Sequence, residues 1–317
     1  MGETEIQIPF NRTVSPSSRS LKLDSAVYHR FRYNEEIITV IPHGNANWAA
    51  TMKITTQTTK HTAKEYFLKI VTGELAEERV LGEYNCMSEL YHTVPSILLM
   101  PYSAGKCLDN KGYYFLSEFV PIVHRAPNAV QLGEQIAKLH RDSHSPTGKF
   151  GFATTPYDGK LPLMVDWDSS WVSFYCKLLY GVYPLDSKFN GKWRELDEAM
   201  VITLDQVIPR LLGPLKEGGR TIKPCLIHGD LWEDNIGTDS RTGGILSLTA
   251  MNASEYRDEY FKNYPPDEPV AECDDRNRLY SIKENLMYSA LRPGHAAREQ
   301  ALADMEYLIC KYTDTAE

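Results

Sequence analysis

The sequence has no run of about 18 apolar residues, no C-x-x-C pair among its six cysteines and no excess of positive charge. The first absence argues against a membrane-spanning helix, and the N-terminal residues lack the apolar stretch of a secretory signal. Cysteines without paired spacing are typical of reduced thiols, so we expect a cytoplasmic protein. Because the net charge is −8, nucleic acid and an anionic membrane surface are poor candidate partners.

The composition is that of an ordinary globular protein, with 42% hydrophobic and 24% charged residues, which excludes wholesale disorder. A length of 317 residues predicts about two domains, or two lobes of one large domain. We expect a flexible leader over residues 1–22, a smaller lobe over 23–120 and a larger lobe over 121–317.

The hydrophobic pattern differs between these two lobes. In the first, runs of β-branched and aromatic residues predict strands over 37–41, 52–56, 66–71 and 113–120, with one helix over about 74–92. In the second, apolar residues at helical spacing predict five helices, near 128–142, 167–174, 196–211, 279–286 and 302–312. The predicted fold class is α+β, a small antiparallel sheet with one helix followed by a mainly helical lobe.

The strongest chemical signal is the octet HGDLWEDN over residues 228–235, which follows a short apolar run that we expect to be a strand. It places Asp230 two residues after His228 and Asn235 five residues after Asp230. Phosphoryl transfer needs a carboxylate that accepts the proton of the attacking hydroxyl and an amide oxygen that can ligate a metal ion. The alternative is a loop with a helix-capping Asp and a surface Asn.

Lys69 is a single charge in the apolar strand YFLKIV. A lysine on the third strand can neutralise nucleotide phosphates and pair with a glutamate of the following helix. Of the acidic residues near that helix we favour Glu83, because it lies within the apolar register of the helix, over Glu74, Glu77, Glu78 and Glu89. The alternative is a lysine on a solvated strand face.

Two further segments are weaker candidates. The turn that includes Gly44 and Asn45 could present backbone N–H groups to phosphate oxygens, although an ordinary hairpin is the simpler interpretation. The residues Glu118, Phe119 and Val120 end the last strand of the first lobe, where a nucleotide-binding hinge or a plain linker is expected.

Together these motifs resemble the fructosamine kinase (ketosamine-3-kinase) family, within the aminoglycoside-phosphotransferase-like branch of the protein-kinase-like bilobal fold. The resemblance rests on LIHGDLWEDN over 226–235, YFLK over 66–69, GE at 82–83, LGEQIAKLH over 132–140, KFGF over 149–152 and DSSWVSF over 168–174. It covers the chain from about residue 24 onward.

The resemblance implies ATP-dependent phosphorylation of the 3-hydroxyl of a ribulosamine or fructosamine on a small ketoamine or a glycated protein, with ATP and Mg²⁺ as cofactors. The implied roles are listed by position. Asp230 is the catalytic base, Asn235 a Mg²⁺ ligand, Lys69 the phosphate-binding lysine and Glu83 its partner; Gly44 and Asn45 cover the phosphates, Glu118, Phe119 and Val120 bind adenine, and His228, Trp232 and Trp171 contact the substrate. For Trp171, helical periodicity with Trp167 and Phe174 equally predicts a core residue.

The chain departs from the family pattern after the octet. Such kinases carry a second metal-binding Asp on the strand that follows the catalytic loop, but Asp239 is the only acidic residue between 236 and 254. Ser247 or Thr249 stands where that carboxylate is expected. We interpret this as a deletion that removes charge from the metal site and leaves a core face unfilled.

Three alternatives to an active ketosamine kinase therefore stay open. The chain could be a catalytically impaired protein that still binds nucleotide or ketoamine, or a mis-spliced form of an active kinase. It could also be an aminoglycoside- or choline-type phosphotransferase, since those enzymes share the His-x-Asp-x-x-x-x-Asn spacing. An active kinase would need another carboxylate at the metal, such as Asp239 or Glu255.

Overall fold

The structure is a computed structural model of the chain and describes residues 22–31, 35–44, 49–123, 126–227, 229, 237–241, 245–246 and 254–313. The predicted leader lies outside these residues except for Lys22. Asn45 and the predicted catalytic-loop residues His228, Asp230, Trp232 and Asn235 also lie outside them, as do Ser247 and Thr249.

The first half of the described chain is a five-stranded antiparallel sheet with the order β1-β2-β3-β5-β4. Its elements are α1 (Ser25–Tyr28), β1 (Glu35–Pro42), β2 (Ala50–Thr58), β3 (Ala63–Val71), α2 (Ala76–Thr93), β4 (Pro101–Lys106) and β5 (Tyr113–Glu118). The four strands and the helix predicted from the sequence are present, each with ends shifted by a few residues.

The two faces of this sheet pack against different elements. Successive side chains along a strand point to opposite faces, so each face has its own set of residues. On the outer face, Leu68 packs with Val27 of the short α1 and with Ile54. On the inner face, Val71 and Phe115 pack against Val80 of α2, while the more polar residues of β2 and β3 point the same way. Lys69 lies on this inner face because it alternates with Leu68.

The second half is mainly helical. Its elements are β6 (Ile122–Val123), α3 (Ala129–Asp142), β7 (Tyr157–Asp158), β8 (Leu161–Pro162), α4 (Trp171–Asn190), α5 (Arg194–Ile202), a π-helical turn (Thr203–Val207), α6 (Ile208–Leu212), β9 (Gly237–Asp239), β10 (Ile245–Leu246), α7 (Ser254–Asn263), α8 (Cys273–Leu291) and α9 (Ala297–Tyr312). One core joins α4, α5, α6, α8 and α9, with Leu179, Leu211 and Leu286 fully buried. None of the helices in the described ranges combines the length and apolarity needed to cross a bilayer.

A separate small core connects the two halves. The C-terminal part of α2 contributes Leu90, which packs with Leu132 and Ile136 of α3. The helix α7 covers α3 at Gly133, where an added Cβ would lie 2.7 Å from the Glu259 carbonyl carbon. The helix α7 therefore packs directly on α3, and the expected unfilled core face stays a prediction.

One sequence-based expectation of local structure is wrong. The apolar run before the octet is not a strand, because residues 221–227 form an irregular segment held by side chains of other elements. The helix α1 was not expected at all. It exists because the buried Asp24 carboxylate accepts the backbone N–H of Ala26 and those of Leu108 and Asp109, which are distant in the sequence.

Candidate active site

The centre of the candidate site is an ion pair between the sheet and α2. Lys69 Nζ donates to Glu83 Oε2 at 2.7 Å and to Oε1 at 3.0 Å, and the lysine is only 9% exposed. Burying a charge is costly unless it is paired, and Glu83 supplies that pairing. Glu83 is more open to solvent than Lys69, which lies on the central strand of the sheet, so the carboxylate is the more accessible member of the pair.

The strand register explains why Lys69 and Glu83 meet. Lys69 stands opposite Phe115 of β5, and Phe115 packs against Val80 of α2. Glu83 follows Val80 by almost one helical turn, so both side chains face the sheet. The neighbouring acidic residues Glu77 and Glu78 lie on the exposed side of the same helix.

The predicted phosphate turn and hinge lie at the two ends of the inner face. Gly44 adopts φ +76°, a conformation that favours glycine, while Asn45 lies outside the described residues. At the other end, Glu118 donates its backbone N–H to Met100 O at 2.8 Å, and Phe119 donates to Glu65 O at 3.2 Å. Phe119 and Val120 are both buried, and the roles of all five residues stay predictions.

The structure brings two residues to the hinge that sequence reasoning did not select. Lys53 Nζ lies 4.4 Å from the Phe119 ring centroid and forms an ion pair with Glu65 at 2.5 Å. The His43 ring meets Phe119 edge-on, with ring centroids 4.8 Å apart. The alternation of Lys53 with buried Met52 and Ile54 was the available signal, but it equally predicts a solvated face.

Trp171, predicted to contact substrate, is the first residue of α4. Its indole Nε1 donates to the Tyr280 hydroxyl at 3.0 Å, and its ring stacks on Phe174 and packs against Phe150. Much of its surface therefore serves the helical core. The structure does not bring Trp171 into contact with Lys69 or Glu83, and its substrate role stays a prediction.

The segment that leads into the octet is attached to the end of α3. Leu226 donates its backbone N–H to Ser143 Oγ, Ser145 donates to Pro224 O, and Lys223 Nζ reaches His140 O. This segment thus starts from a fixed place on the helical half. Burial raises the pKa of Cys225. Burial also raises the pKa of Cys86, beside Glu83, to about 12, so the Cys86 thiol is protonated at neutral pH.

The carboxylates proposed to replace the absent metal-binding Asp are in different situations. Asp239 is buried, and its Oδ1 accepts the Arg241 backbone N–H at 2.8 Å and the Arg241 Nε at 3.2 Å. Glu255 is exposed on α7. Within the ranges that the structure describes, no group of three or more His, Cys, Asp or Glu side chains could hold a metal ion.

Comparison with known proteins assigns this architecture to a family. The sequence profile described as "Fructosamine kinase" matches residues 34–305, which is most of the chain. The chain belongs to the fructosamine kinase family. This confirms the family resemblance and the protein-kinase-like α+β fold drawn from the motifs.

Individual relatives of this fructosamine kinase family member are distant. The protein-ribulosamine 3-kinase, chloroplastic, of Oryza sativa subsp. japonica is 26% identical over 187 residues, covering 59% of this chain and 52% of the relative. The ketosamine-3-kinase of Mus musculus is 28% identical over 158 residues, covering 43% of this chain and 48% of the relative. The chain thus spans about half the length of these curated relatives.

Solved structures support the fold. A candidate fructosamine-3-kinase from Thermobifida fusca matches with a TM-score of 0.65 and 16% identity, covering 91% of this chain and 100% of that one. A second, from Haemophilus somnus, gives a TM-score of 0.63 and 16% identity, covering 86% and 92%. At this identity the likeness concerns the fold alone.

Proposed function

We propose that this protein is an ATP-dependent phosphotransferase that phosphorylates the 3-hydroxyl of ribulosamine or fructosamine groups. The observation that carries the proposal is the Lys69–Glu83 ion pair, placed on the inner sheet face between a glycine-containing turn and a hinge, in a chain of the fructosamine kinase family. The names of the relatives, protein-ribulosamine 3-kinase and ketosamine-3-kinase, support a ketoamine as the substrate class.

In this proposal Lys69 binds the phosphates of the nucleotide and Glu83 orients the lysine. The carboxylate accepts two hydrogen bonds from Lys69 Nζ, which holds the ammonium group on the inner face of the sheet. A preorganised cation stabilises negative charge on a transferring phosphoryl group without reorganising during the reaction. When bound, ATP supplies the phosphoryl group.

The proton chemistry is assigned to the octet. Asp230 would accept the proton of the substrate 3-hydroxyl at a carboxylate oxygen, and His228 and Trp232 would contact the ketoamine. These residues lie outside the described ranges, and their roles rest on the motif and the family. Backbone groups of Glu118, Phe119 and Val120 would bind adenine.

We propose Mg²⁺ as the metal ion that acts together with ATP. Asn235 is its predicted protein ligand, and phosphate oxygens would complete much of the coordination shell, as Mg²⁺ sites commonly use substrate phosphates. Asp239 is a poor second ligand, because its carboxylate already accepts two hydrogen bonds from Arg241. The metal site would therefore carry less protein charge than in a kinase with two metal-binding side chains.

Because the proposed metal site carries less protein charge, a second candidate function is that of a nucleotide-binding protein with impaired catalysis. An aminoglycoside-type phosphotransferase is not favoured, because the matching profile and relatives are named for fructosamine, ribulosamine and ketosamine. The proposed substrate is a free ketoamine or a glycated protein, and the proposed compartment is the cytoplasm.

The test is incubation of the purified chain with ATP, Mg²⁺ and a synthetic ribulosamine or fructosamine of lysine, with ADP release and ³¹P NMR of the product as readouts. We expect a phosphorylated ketoamine, and a loss of about 100-fold or more in rate for Lys69→Met. Lys60→Met, in the exposed turn between β2 and β3, is the matched control and keeps the wild-type rate.

Other outcomes decide between the candidates. ATP binding without any phosphorylated ketoamine contradicts the kinase proposal and supports the impaired binding protein. Phosphorylation of an aminoglycoside in place of the ketoamines contradicts the proposed substrate class.

A further inference from the structure

A loop of the helical half reaches across to α2, and we call it the 150–168 loop. Its ends are joined by two backbone hydrogen bonds of 2.8 Å between Phe150 and Asp168, and it contains the β7–β8 hairpin. The loop is tightly packed on its own half. An added Cβ at Gly151 would lie 2.7 Å from Val165 O, and one at Gly159 would lie 3.2 Å from Leu291 of α8.

The contact between this loop and α2 is made at Gly82. A Cβ added at this position would lie 2.8 Å from the Thr155 carbonyl oxygen, closer than side-chain carbons approach backbone. The backbone of α2 therefore rests directly on the backbone of the loop. Gly82 immediately precedes Glu83, so the contact lies on the turn of helix that carries the carboxylate.

Arg79 lies one turn earlier on the same side of α2. It is 9% exposed, and burial lowers its pKa while the nearby Glu83 and Tyr157 raise it. The spacing of four residues from Glu83 places the two side chains next to each other on the helix. Glu83 is thus near two cations, Lys69 from the sheet and Arg79 from its own helix, and Tyr157 of the loop is also near Arg79.

The C-terminal part of α2 is attached to the same half by Leu90, which packs on Leu132 and Ile136 of α3. The helix is therefore fixed to the helical half at two places, at Gly82 and at Leu90. Val80 and Ala76 of the same helix pack against the sheet. The position of Glu83 is consequently set by both halves of the molecule.

We propose that Arg79 and Gly82 are positioning residues for the Lys69–Glu83 ion pair, because they seat the middle of α2 on the 150–168 loop. Gly82 sets the distance between helix and loop, and Arg79, four residues before Glu83, places a second buried cation on the same side of the helix. The inference rests on the proposed function only in that Lys69 acts on nucleotide phosphates. Because the loop ends at Asp168, three residues before Trp171, it couples the predicted substrate segment to the ion pair.

The experiment compares Gly82→Ala and Arg79→Met with two controls, Gly213→Ala, whose added Cβ meets no atom within 4 Å, and the conservative Arg79→Lys. The readouts are ATP affinity by calorimetry, kcat and KM for ATP, and hydrogen–deuterium exchange of the α2 amides. We expect both test variants to lower kcat/KM for ATP by about 10- to 100-fold, as small misplacements of positioning groups do, and to speed exchange in α2. Arg79→Lys should recover most of the loss, and Gly213→Ala should match the wild type.

Two results overturn the proposal. One is unchanged ATP kinetics and unchanged α2 exchange in both test variants. The other is a lower melting temperature with unchanged ATP affinity and kcat at a temperature where the variants are folded, which is a purely structural role. If Arg79→Met does not fold, Gly82→Ala and Arg79→Lys carry the same comparison.

Failure of the proposed function gives a different signature. A wild type that binds no ATP and forms no ADP contradicts the proposed function. Faster hydrogen–deuterium exchange of the α2 amides in Gly82→Ala but not in Gly213→Ala still supports the packing of α2 on the loop. Equal exchange rates in the two variants contradict it.

Discussion

Leu226 donates its backbone N–H to Ser143 Oγ across 2.9 Å. Ser143 is the residue that ends α3, and Leu226 lies two residues before the octet that carries Asp230. The hydroxyl therefore fixes where the chain leaves the helical half to enter the predicted catalytic loop. Because Ser143 is only 3% exposed, water cannot easily replace its hydroxyl.

Replacing Ser143 by Ala leaves the Leu226 N–H without this acceptor. We expect a loss of about 1–3 kcal/mol in the free energy of unfolding, together with a lower kcat at unchanged KM for ATP, because the loop and not the sheet is displaced. Urea denaturation and steady-state kinetics measure the two effects. Ser169→Ala, at an exposed position, is the control; an equal effect of both substitutions would contradict the assignment.

His140 makes stability depend on pH. Its ring contacts the hydroxyl of Tyr260 at 2.9 Å, and burial, with a smaller effect of Lys223, lowers its pKa to about 4. The unfolded chain has the ordinary value near 6.5, so between these values the unfolded state binds a proton that the folded state does not. Stability therefore falls as the pH drops from about 6.5 to 4, by about 1.4 kcal/mol per pH unit at most.

The measurement is the free energy of unfolding from pH 4 to 8 for the wild type and for His140→Phe, which keeps an aromatic ring against Tyr260. We expect the variant to have a shallower slope between pH 4 and 6.5. The exposed His92 gives the comparison, since His92→Gln should leave the slope unchanged. Identical slopes for the wild type and His140→Phe would assign the dependence to other groups.

Asp168 holds the start of α4. Its carboxylate accepts hydrogen bonds from the Ser170 N–H, the Ser173 hydroxyl and Lys177 Nζ, and these, led by Lys177, lower its pKa to about 2. Asp168→Asn should cost about 1–2 kcal/mol, whereas Asp166→Asn, two residues earlier and exposed, should cost almost nothing. Thermal denaturation at pH 7 tests this, and equal melting temperatures would refute it.

Asp186 is a fully buried charge that joins three helices. It accepts from Ser289 Oγ at 2.7 Å, from Asn190 Nδ2 at 3.0 Å and from Arg298 Nε at 2.8 Å. Breaking a buried pair leaves an uncompensated charge, so Asp186→Ala and Arg298→Met should each cost about 3–5 kcal/mol, and the double variant less than their sum. Chemical denaturation measures this double-mutant cycle, and additive costs would mean that the pair is not coupled; Asp205→Ala, at an exposed position, is the control.

Local patterns predicted most of the fold because local forces dominate those elements. Four of the five strands of the sheet and the helix α3 follow from alternation and from the helical spacing of Leu132, Ile136 and Leu139, all of which are buried. The helix α1 was not predicted. The helical conformation of its four residues depends on contacts of Asp24 with residues more than 80 positions away.

The residues of the candidate site also differ in whether local sequence patterns can predict them. Register within α2 was enough to select Glu83 from its acidic neighbours. The seat of Gly82 on Thr155 and the approach of Lys53 to Phe119 depend on tertiary distances, which carry no local signal. The apolar run before the octet was predicted to be a strand, but the backbone of 221–227 is irregular. A short apolar run has the same sequence pattern in a strand and in an irregular segment that is held by a side chain such as Ser143.

The hinge is bonded on both of its sides. Glu118 is tied by its N–H to the sheet, whereas Pro121 O accepts the N–H of Ser240, and β6 pairs with β9 directly afterwards. Phe119 also donates its N–H to Glu65 O, so Val120 lies between the last residue bonded to the sheet and the first residue bonded to β9's neighbour Ser240. The residues proposed to bind adenine are therefore the same short stretch at which the hydrogen bonding of the chain passes from the first half to the second.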